Sequence, residues 1–283
     1  MPSHRHAVGG RHELGQNFLV DRRVVTRIAG LVPAGPVLEL GAGDGALTRQ
    51  LAARPGPVTA VELDPGRVAN LRRTFGDRVR IVHADMLRFR LDSAHHVVSN
   101  VPFGITTPLL RHLLGQRAWT SAVLLLQWEV ARKRAAVGGT TLLTASWWPW
   151  YEFALAGRVS SVAFRPRPAV DGGILVMRRR EEALVATAER AAYQQLVRQA
   201  FSGDRLLPAL RSMPGAGRWA LAQGLEPAVR PRDLTAQQWA ALHAAAGAAA
   251  PGAAAPGAAA PGAAPARRQR TARTRLARRG GAS

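Results

Sequence analysis

Val37-Leu38-Glu39-Leu40-Gly41-Ala42-Gly43-Asp44-Gly45-Ala46-Leu47-Thr48 decides the fold of this chain. Its first four residues read as a buried strand. Three glycines then alternate with small or polar residues, and Leu47 and Leu51 share one face of a following helix. A strand, a glycine turn and a helix bring a ligand against bare backbone at a helix N-terminus. The glycines permit positive φ and close approach because no Cβ stands in the way.

Working outward, the same alternation repeats. Val58-Thr59-Ala60-Val61 is a second strand ending in Glu62, and Asp64-Pro65 reads as N-cap and first residue of the next helix. Val79 to Val82 is a third strand ending near Asp85, and His96 to Ser99 a fourth ending at Asn100. Thr107-Pro108 is placed as the cap of a helix carrying Leu109, Leu110, Leu113 and Leu114. Ala122 to Leu126 is apolar enough to be buried on both faces. Glu129 to Val137 reads as a basic helix, and Tyr151 to Val159 with Gly173 to Met177 as a closing antiparallel pair. The series predicts an α/β protein with a doubly wound, Rossmann-like sheet and a mainly parallel core.

The texture changes near Glu181. Residues 185–245 carry helical periodicity and no strand, with Val185, Tyr193, Leu196, Val197 and Phe201 marking one helix. Leu206, Leu207 and Leu210 mark a second, and Trp219 and Leu221 a third. A last helix holds Trp239 and Leu242, capped by Asp233 or Thr235. From Gly247 the composition collapses to Ala, Pro and Gly, with Pro-Gly at 251, 256 and 261, which defeats a helix and offers no core. Four segments follow: a basic arm over 1–13, a cofactor-binding domain over 14–180, a small all-α domain over 181–246, and a linker with an Arg-rich disordered tail over 247–283.

The net charge is +21, from 39 basic and 18 acidic residues, and Lys133 is the only lysine. The arginine bias is what GC-rich coding produces, whereas the excess of charge points to a polyanionic partner, of which nucleic acid is the commonest. The tail holds +7 and no acid, as either a solvated appendage or a polyanion-binding arm. There are no cysteines, which excludes disulfides, thiolate metal sites and a cysteine nucleophile. No apolar run reaches the ~18 residues of a membrane span, and no apolar stretch follows the polar N-terminus as in a secretory signal. A cytoplasmic location follows by default. No metal site, membrane association or obligate protein partner is expected, and the chain is read as a monomer.

Gly41-x-Gly43-x-x-Ala46, with Glu62 21 residues beyond Gly41, satisfies the dinucleotide fingerprint. Glu39-x-Gly41-x-Gly43-x-Gly45 is also the adenosylmethionine pattern, and Glu62 suits the ribose diol of either cofactor. Asn100-Val101-Pro102-Phe103 favours the second. Asn-x-Pro-aromatic at a strand end resembles the signature of methyltransferases acting on a planar exocyclic amine. The adenine N6 lone pair is delocalised into the ring. Hydrogen bonds from N6–H to the Asn100 side-chain oxygen and the Val101 carbonyl favour sp³ character at nitrogen. Pro102 fixes the turn and Phe103 stacks on an extruded base. Two other readings stay open: a non-catalytic RNA-binding protein on the same fold, motivated by the charge, and a nicotinamide-dependent oxidoreductase, which lacks a hydride-transfer dyad.

From Leu14 to Met177 the chain resembles the erythromycin-resistance (Erm) 23S rRNA adenine-N6-methyltransferases and, more distantly, the small-subunit rRNA adenine dimethylases. The resemblance rests on Gly15-Gln16-Asn17-Phe18-Leu19, on Glu39 to Gly45, on Glu62, Asp85 and Asn100-Val101-Pro102-Phe103, and on Phe164 to Asp171. It implies S-adenosylmethionine as cofactor. Asn17 and Leu19 would close over its methionine end, Gly41 and Gly43 would approach through backbone, Glu62 would bind the ribose and Asp85 the adenine amine. Asn100, which would also contact the cofactor, would hold the target adenine together with Val101, Pro102 and Phe103, with Phe164 in its pocket. Phe103 stands where Tyr is commoner, which keeps stacking and loses a hydroxyl. Phe201-Ser202-Gly203-Asp204-Arg205 replaces the basic run of the small-subunit enzymes, which favours the Erm branch. That branch implies 23S rRNA as partner, its target adenine flipped from a hairpin or loop, and resistance to macrolide, lincosamide and streptogramin B antibiotics.

Overall fold

The structure, a computed structural model, describes residues 17–248. The basic arm over 1–13, Gly15, Gln16 and the tail from 249 lie outside the described residues. In chain order the main elements are β1 (Phe18–Leu19), α1 (Arg22–Gly30), β2 (Val37–Leu40), α2 (Ala46–Leu51), β3 (Val58–Glu62), α3 (Pro65–Phe75), β4 (Arg80–His83) and β5 (His95–Asn100). There follow α4 (Thr106–Gly115), β6 (Trp119–Gln127), α5 (Trp128–Arg134), α6 (Leu142–Trp147), β7 (Tyr151–Val159), β8 (Phe164–Arg165) and β9 (Gly172–Arg179). The last helices are α7 (Arg190–Ala200), α8 (Leu206–Ala209), α9 (Ala216–Ala222) and α10 (Ala236–Ala248).

Seven strands form one sheet in the order β4-β3-β2-β5-β6-β9-β7, a Rossmann-like arrangement. The first five are parallel, and β9 pairs antiparallel with both β6 and β7, as the closing pair requires. The chain leaves the β4 edge and re-enters beside β2, so β2 and β5 are neighbours although two strands separate them in sequence. That is a topological switch point, where doubly wound sheets open a crevice at the carboxyl ends of the strands. Register sets what meets there. Glu39 pairs with Ala60 on one side and Val98 on the other, so Gly41, Glu62 and Asn100 reach the same level two residues on.

Both faces of the sheet are covered. Leu38, Leu40, Ala122, Leu124 and Leu126 pack with α4 and the later helices, and Val37, Val123 and Leu125 with α1, α2 and α3. The buried cluster on the first face continues without a break through Tyr193, Val197, Trp219 and Trp239 of the helical segment. The Tyr193 hydroxyl donates to the Ala145 carbonyl (2.8 Å), and the Trp239 ring stacks on Phe201.

Several local expectations need correction. Thr107 and Pro108 lie inside the first turn of α4, which opens at Thr106 after a one-turn 3₁₀ segment over Phe103–Ile105. Pro tolerates a first turn because its missing N–H has no intrahelical acceptor there. The basic helix ends at Arg134 rather than Val137, since Ala136 takes φ +59°. Val185 is buried but precedes its helix, and Leu221 is 81% exposed while Trp219 beside it is buried. Thr235, not Asp233, caps α10: its Oγ1 accepts the Gln238 amide. The α6 helix, capped by the Thr141 side chain, follows a glycine pair and shows no long apolar period in sequence.

Candidate active site

The crevice is a cleft of about 880 Å³ at the carboxyl ends of β2, β3, β4 and β5. The Gly41-Ala42-Gly43-Asp44-Gly45 turn forms its floor. Gly41, Gly43 and Gly45 all have positive φ, at 74°, 55° and 79°. The positive φ of Gly41 favours glycine there, and a Cβ would also push aside the flexible end of Met86, whose Cε lies 2.4 Å from the Cβ position. The Gly41 and Ala42 amides bond to the Val61 carbonyl (2.8 and 3.0 Å), which ties the turn to β3.

Glu62 ends β3 and is organised by backbone. Its Oε2 accepts the Gly43 amide (2.8 Å), and its Oε1 accepts those of Leu63 and Asp64 (2.9 Å each). These three bonds fix the carboxylate on the cleft wall and leave one acceptor site, on Oε2, for a hydroxyl donor. Asp85, after β4, takes the Leu87 amide on Oδ1 (2.8 Å) and faces Arg88 at 3.8 Å from Oδ2.

Glu39 lies beneath the turn, 1% exposed, with one described partner, the Thr48 hydroxyl at 2.6 Å. Burial pushes its carboxyl up to about 8, opposed by the Thr48 hydrogen bond and assisted by the nearby Glu62 charge. The sequence places Glu39 in the glycine pattern, but only the fold reveals a buried acid on the cleft wall.

Asn100 closes the opposite wall. Its Nδ2 donates to the Asn17 carbonyl (2.8 Å), a group that can only accept. The amide orientation is thereby fixed, and Oδ1 is the end left to accept a hydrogen bond. Val101 is held by its amide to the Leu125 carbonyl, and Pro102, at φ −54°, starts the 3₁₀ turn that carries Phe103. Asn17 sits at the cleft because β1 pairs antiparallel with β8.

The cleft therefore brings together Asn17, Leu19, Gly41, Gly43, Glu62, Asp85, Asn100, Val101, Pro102 and Phe103. Phe164 is not on its surface. It is fully buried and meets the Phe103 ring edge-on, with centroids 6.5 Å apart, so it backs the wall instead of lining it. Arg22, Thr26 and Arg49 also line the cleft, from α1 and α2, and nothing in their sequence spacing marks them out. Among the described residues no group of three or more His, Asp or Glu could hold a metal ion, and no helix is long and apolar enough to cross a membrane.

This donor set fits S-adenosylmethionine. The glycine turn presents bare backbone with positive φ, a backbone-fixed carboxylate offers an acceptor of the kind a ribose diol takes, and a second carboxylate one strand further offers one to an exocyclic amine.

Comparisons with known proteins agree. The ribosomal RNA adenine dimethylase family matches residues 8–242. The mycinamicin-resistance protein MyrB of Micromonospora griseorubida is 59% identical over 246 residues, covering 84% of this chain and 79% of that protein. An rRNA adenine N-6-methyltransferase of Corynebacterium diphtheriae is 48% identical over 197 residues, or 68% of this chain and 78% of its own length. Among solved structures, the 23S rRNA methyltransferase ErmE superposes with a TM-score of 0.75 at 32% identity, over 81% of this chain and 98% of that one. The chain belongs to the ribosomal RNA adenine dimethylase family of S-adenosylmethionine-dependent methyltransferases.

Proposed function

We propose that the protein transfers methyl groups from S-adenosylmethionine to the N6 amine of one adenine in 23S rRNA, and thereby confers resistance to macrolide, lincosamide and streptogramin B antibiotics. The observation that carries this reading is the tie from Asn100 Nδ2 to the Asn17 carbonyl, which leaves Oδ1 as an acceptor in the cleft that the glycine turn floors. The likeness to MyrB and to ErmE supports the RNA and the resistance phenotype.

The residues divide the work. Gly41 and Gly43 hold the cofactor through backbone, Glu62 accepts its ribose hydroxyls, Asp85 accepts its adenine amine, and Asn17 and Leu19 cover its methionine end. Bound S-adenosylmethionine supplies a methyl group already activated on a sulfonium. Asn100 Oδ1 and the Val101 carbonyl accept hydrogen bonds from the target N6–H groups. Both withdraw the nitrogen lone pair from the ring and aim it. Phe103 stacks on the flipped base, and Phe164 behind it fixes the ring edge-on. The attacked amine becomes acidic once alkylated, so no strong general base is needed beside Asn100. Residues 14–180 act as the methyltransferase domain and 181–246 as the part that holds RNA, in a cytoplasmic monomer.

Tritiated S-adenosylmethionine with protein-free 23S rRNA tests the proposal directly. Label incorporated into adenine at N6, together with raised macrolide tolerance in a sensitive host expressing the gene, is the expected result. Absence of label in adenine overturns it.

A further inference from the structure

A second cavity, of about 460 Å³, opens where the loop after α5 meets the start of α10. It is remote from the methyl-transfer cleft. Asn100 pairs with Leu125 and Leu125 with Ile174, whereas Trp148 and Arg180 lie just beyond the opposite ends of β7 and β9. At ~3.3 Å per residue, the end of β9 is roughly 17 Å from the level of Asn100.

Three independent features of its wall point to one kind of ligand. The first is the start of α10, a 13-residue helix. Thr235 and Gln238 cap each other, with Gln238 N to Thr235 Oγ1 at 3.2 Å and Thr235 N to Gln238 Oε1 at 2.9 Å. The amides of Ala236 and Gln237, both on the cavity wall, precede the first intrahelical bond, which runs from Trp239 N to the Thr235 carbonyl. Arg232 stands beside them, its side chain 53% exposed and only loosely paired with Asp233 at 3.8 Å. Asp233 is the acid on this wall, and its other oxygen is occupied by the Arg230 amide. Together they form an anion site.

The second feature is Thr140. It is 6% exposed, it lines the cavity, and its Oγ1 has no hydrogen-bond partner, although its own amide donates to the Arg232 carbonyl (2.8 Å). A buried hydroxyl left unpaired is costly and is relieved by a polar ligand atom. The third is Trp148. Of the tryptophans in Trp147-Trp148-Pro149-Trp150, Trp147 and Trp150 pack edge-on and share the Arg190 guanidinium (5.1 and 4.8 Å). The Trp148 side chain is half-buried, with one side packed against the core cluster and the rest on the cavity wall; among the described residues no aromatic ring or cation stacks on its indole, and its carbonyl accepts from Arg180 Nε at 3.0 Å. Arg180 is itself neutralised by Glu152 at 2.7 Å.

We propose that this cavity binds a nucleotide, its phosphate against the first turn of α10 and Arg232 and its base against the Trp148 indole. The shared chemistry is a nucleoside monophosphate unit, and two sources can supply it: a nucleotide of the RNA other than the target adenine, or a free nucleotide. The first source rests on the rRNA reading above, and the second does not.

Arg232→Gln, Thr140→Val and Trp148→Leu in the full chain separate the cases. Each is assayed for methyl transfer to protein-free 23S rRNA and titrated with adenosine 5′-monophosphate by ligand-observed NMR, with thermal unfolding as a check on folding. Thr140→Val keeps the volume and removes only the unpaired hydroxyl, so it tests the site without threatening the fold. A rise of about three- to tenfold in KM for RNA in all three variants, at unchanged kcat and unchanged cofactor affinity, assigns the site to an RNA nucleotide. Adenosine monophosphate bound by the unaltered protein and lost in all three variants, at unchanged KM for RNA, assigns it to a free nucleotide. If the unaltered protein labels no rRNA, the rRNA reading fails and the nucleotide titration alone decides this one. Thr140→Val and Trp148→Leu indistinguishable from the unaltered protein in both assays overturn the proposal, including the case where Arg232→Gln alone weakens RNA binding through diffuse charge.

Discussion

On the Glu62 side of the cleft, one carboxylate receives three backbone amides and the turn it holds is bonded again to β3. On the Asn100 side, one side-chain amide makes one bond, to the carbonyl of Asn17 just before a two-residue strand, and keeps its acceptor end open. The first wall is part of the protein's own architecture, and in the proposed function its side chains hold the loop and the cofactor together. The second is light on internal bonds, and its open polar atoms are the ones the proposed function gives to the target base. Damage to the first wall is therefore expected in stability and cofactor affinity at once, and damage to the second in turnover and RNA binding, with stability and cofactor affinity largely spared.

Asn100→Ala gives the largest effect. Methyl transfer falls by roughly a thousandfold, in line with loss of an oriented group that acts mainly in the transition state, while the cofactor Kd by calorimetry moves less than about threefold. A variant that retains a tenth of the activity would erase the contrast between the walls. Glu62→Ala comes next. Loss of charge-assisted bonds weakens cofactor binding roughly 30- to 100-fold, and three amides lose their acceptor, so thermal unfolding drops by several degrees. An unchanged Tm in that variant would show that the wall does not depend on its carboxylate.

Phe103→Ala sharpens the second wall. Stacking on a base is worth about 1–3 kcal/mol, so KM for RNA rises about tenfold or more, whereas Phe103→Tyr, which keeps the ring, stays close to the unaltered enzyme. The smallest effect concerns Glu39. Its carboxyl ionises near 4.5 in the unfolded chain and at about 8 in the folded one, because burial dominates the Thr48 hydrogen bond. The stability it contributes is complete below pH 4.5 and is lost as pH rises to 8. Thermal unfolding temperature should decline across that window, and Glu39→Gln should flatten the decline by a few degrees. A parallel profile in the variant would mean the acid is ionised in the fold.

The strand ends were the legible part of this molecule. Glu62 and Asn100 each follow a short, largely buried apolar run, and Asp85 follows the alternating, half-exposed edge strand β4, so each strand end marks a polar residue at the crevice. Asp64-Pro65 announced α3 because cap and first-turn proline act locally, and the structure has the Asp64 side chain on the Arg67 amide. Features set by tertiary packing were not legible. Phe164 is a core ring behind Phe103 because β8 pairs with β1, a contact between residues more than 140 apart. Arg22, Thr26 and Arg49 face the cleft because α1 and α2 flank the switch point, which depends on strand order rather than spacing. The α5 helix stops early at a non-glycine residue with positive φ, which no propensity scale anticipates.

The pairing of Phe18 and Leu19 with Arg165 and Phe164 has a consequence in time. Asn17 is synthesised before every strand of the main sheet, yet the strand that places its carbonyl beneath Asn100 arrives 147 residues later, at Phe164. The nascent chain can thus complete β2 to β5 and the glycine turn while the catalytic amide still lacks its anchor. The contact that orients Asn100 is thus a late product of folding, because it waits on a pairing that closes across most of the sheet-forming chain.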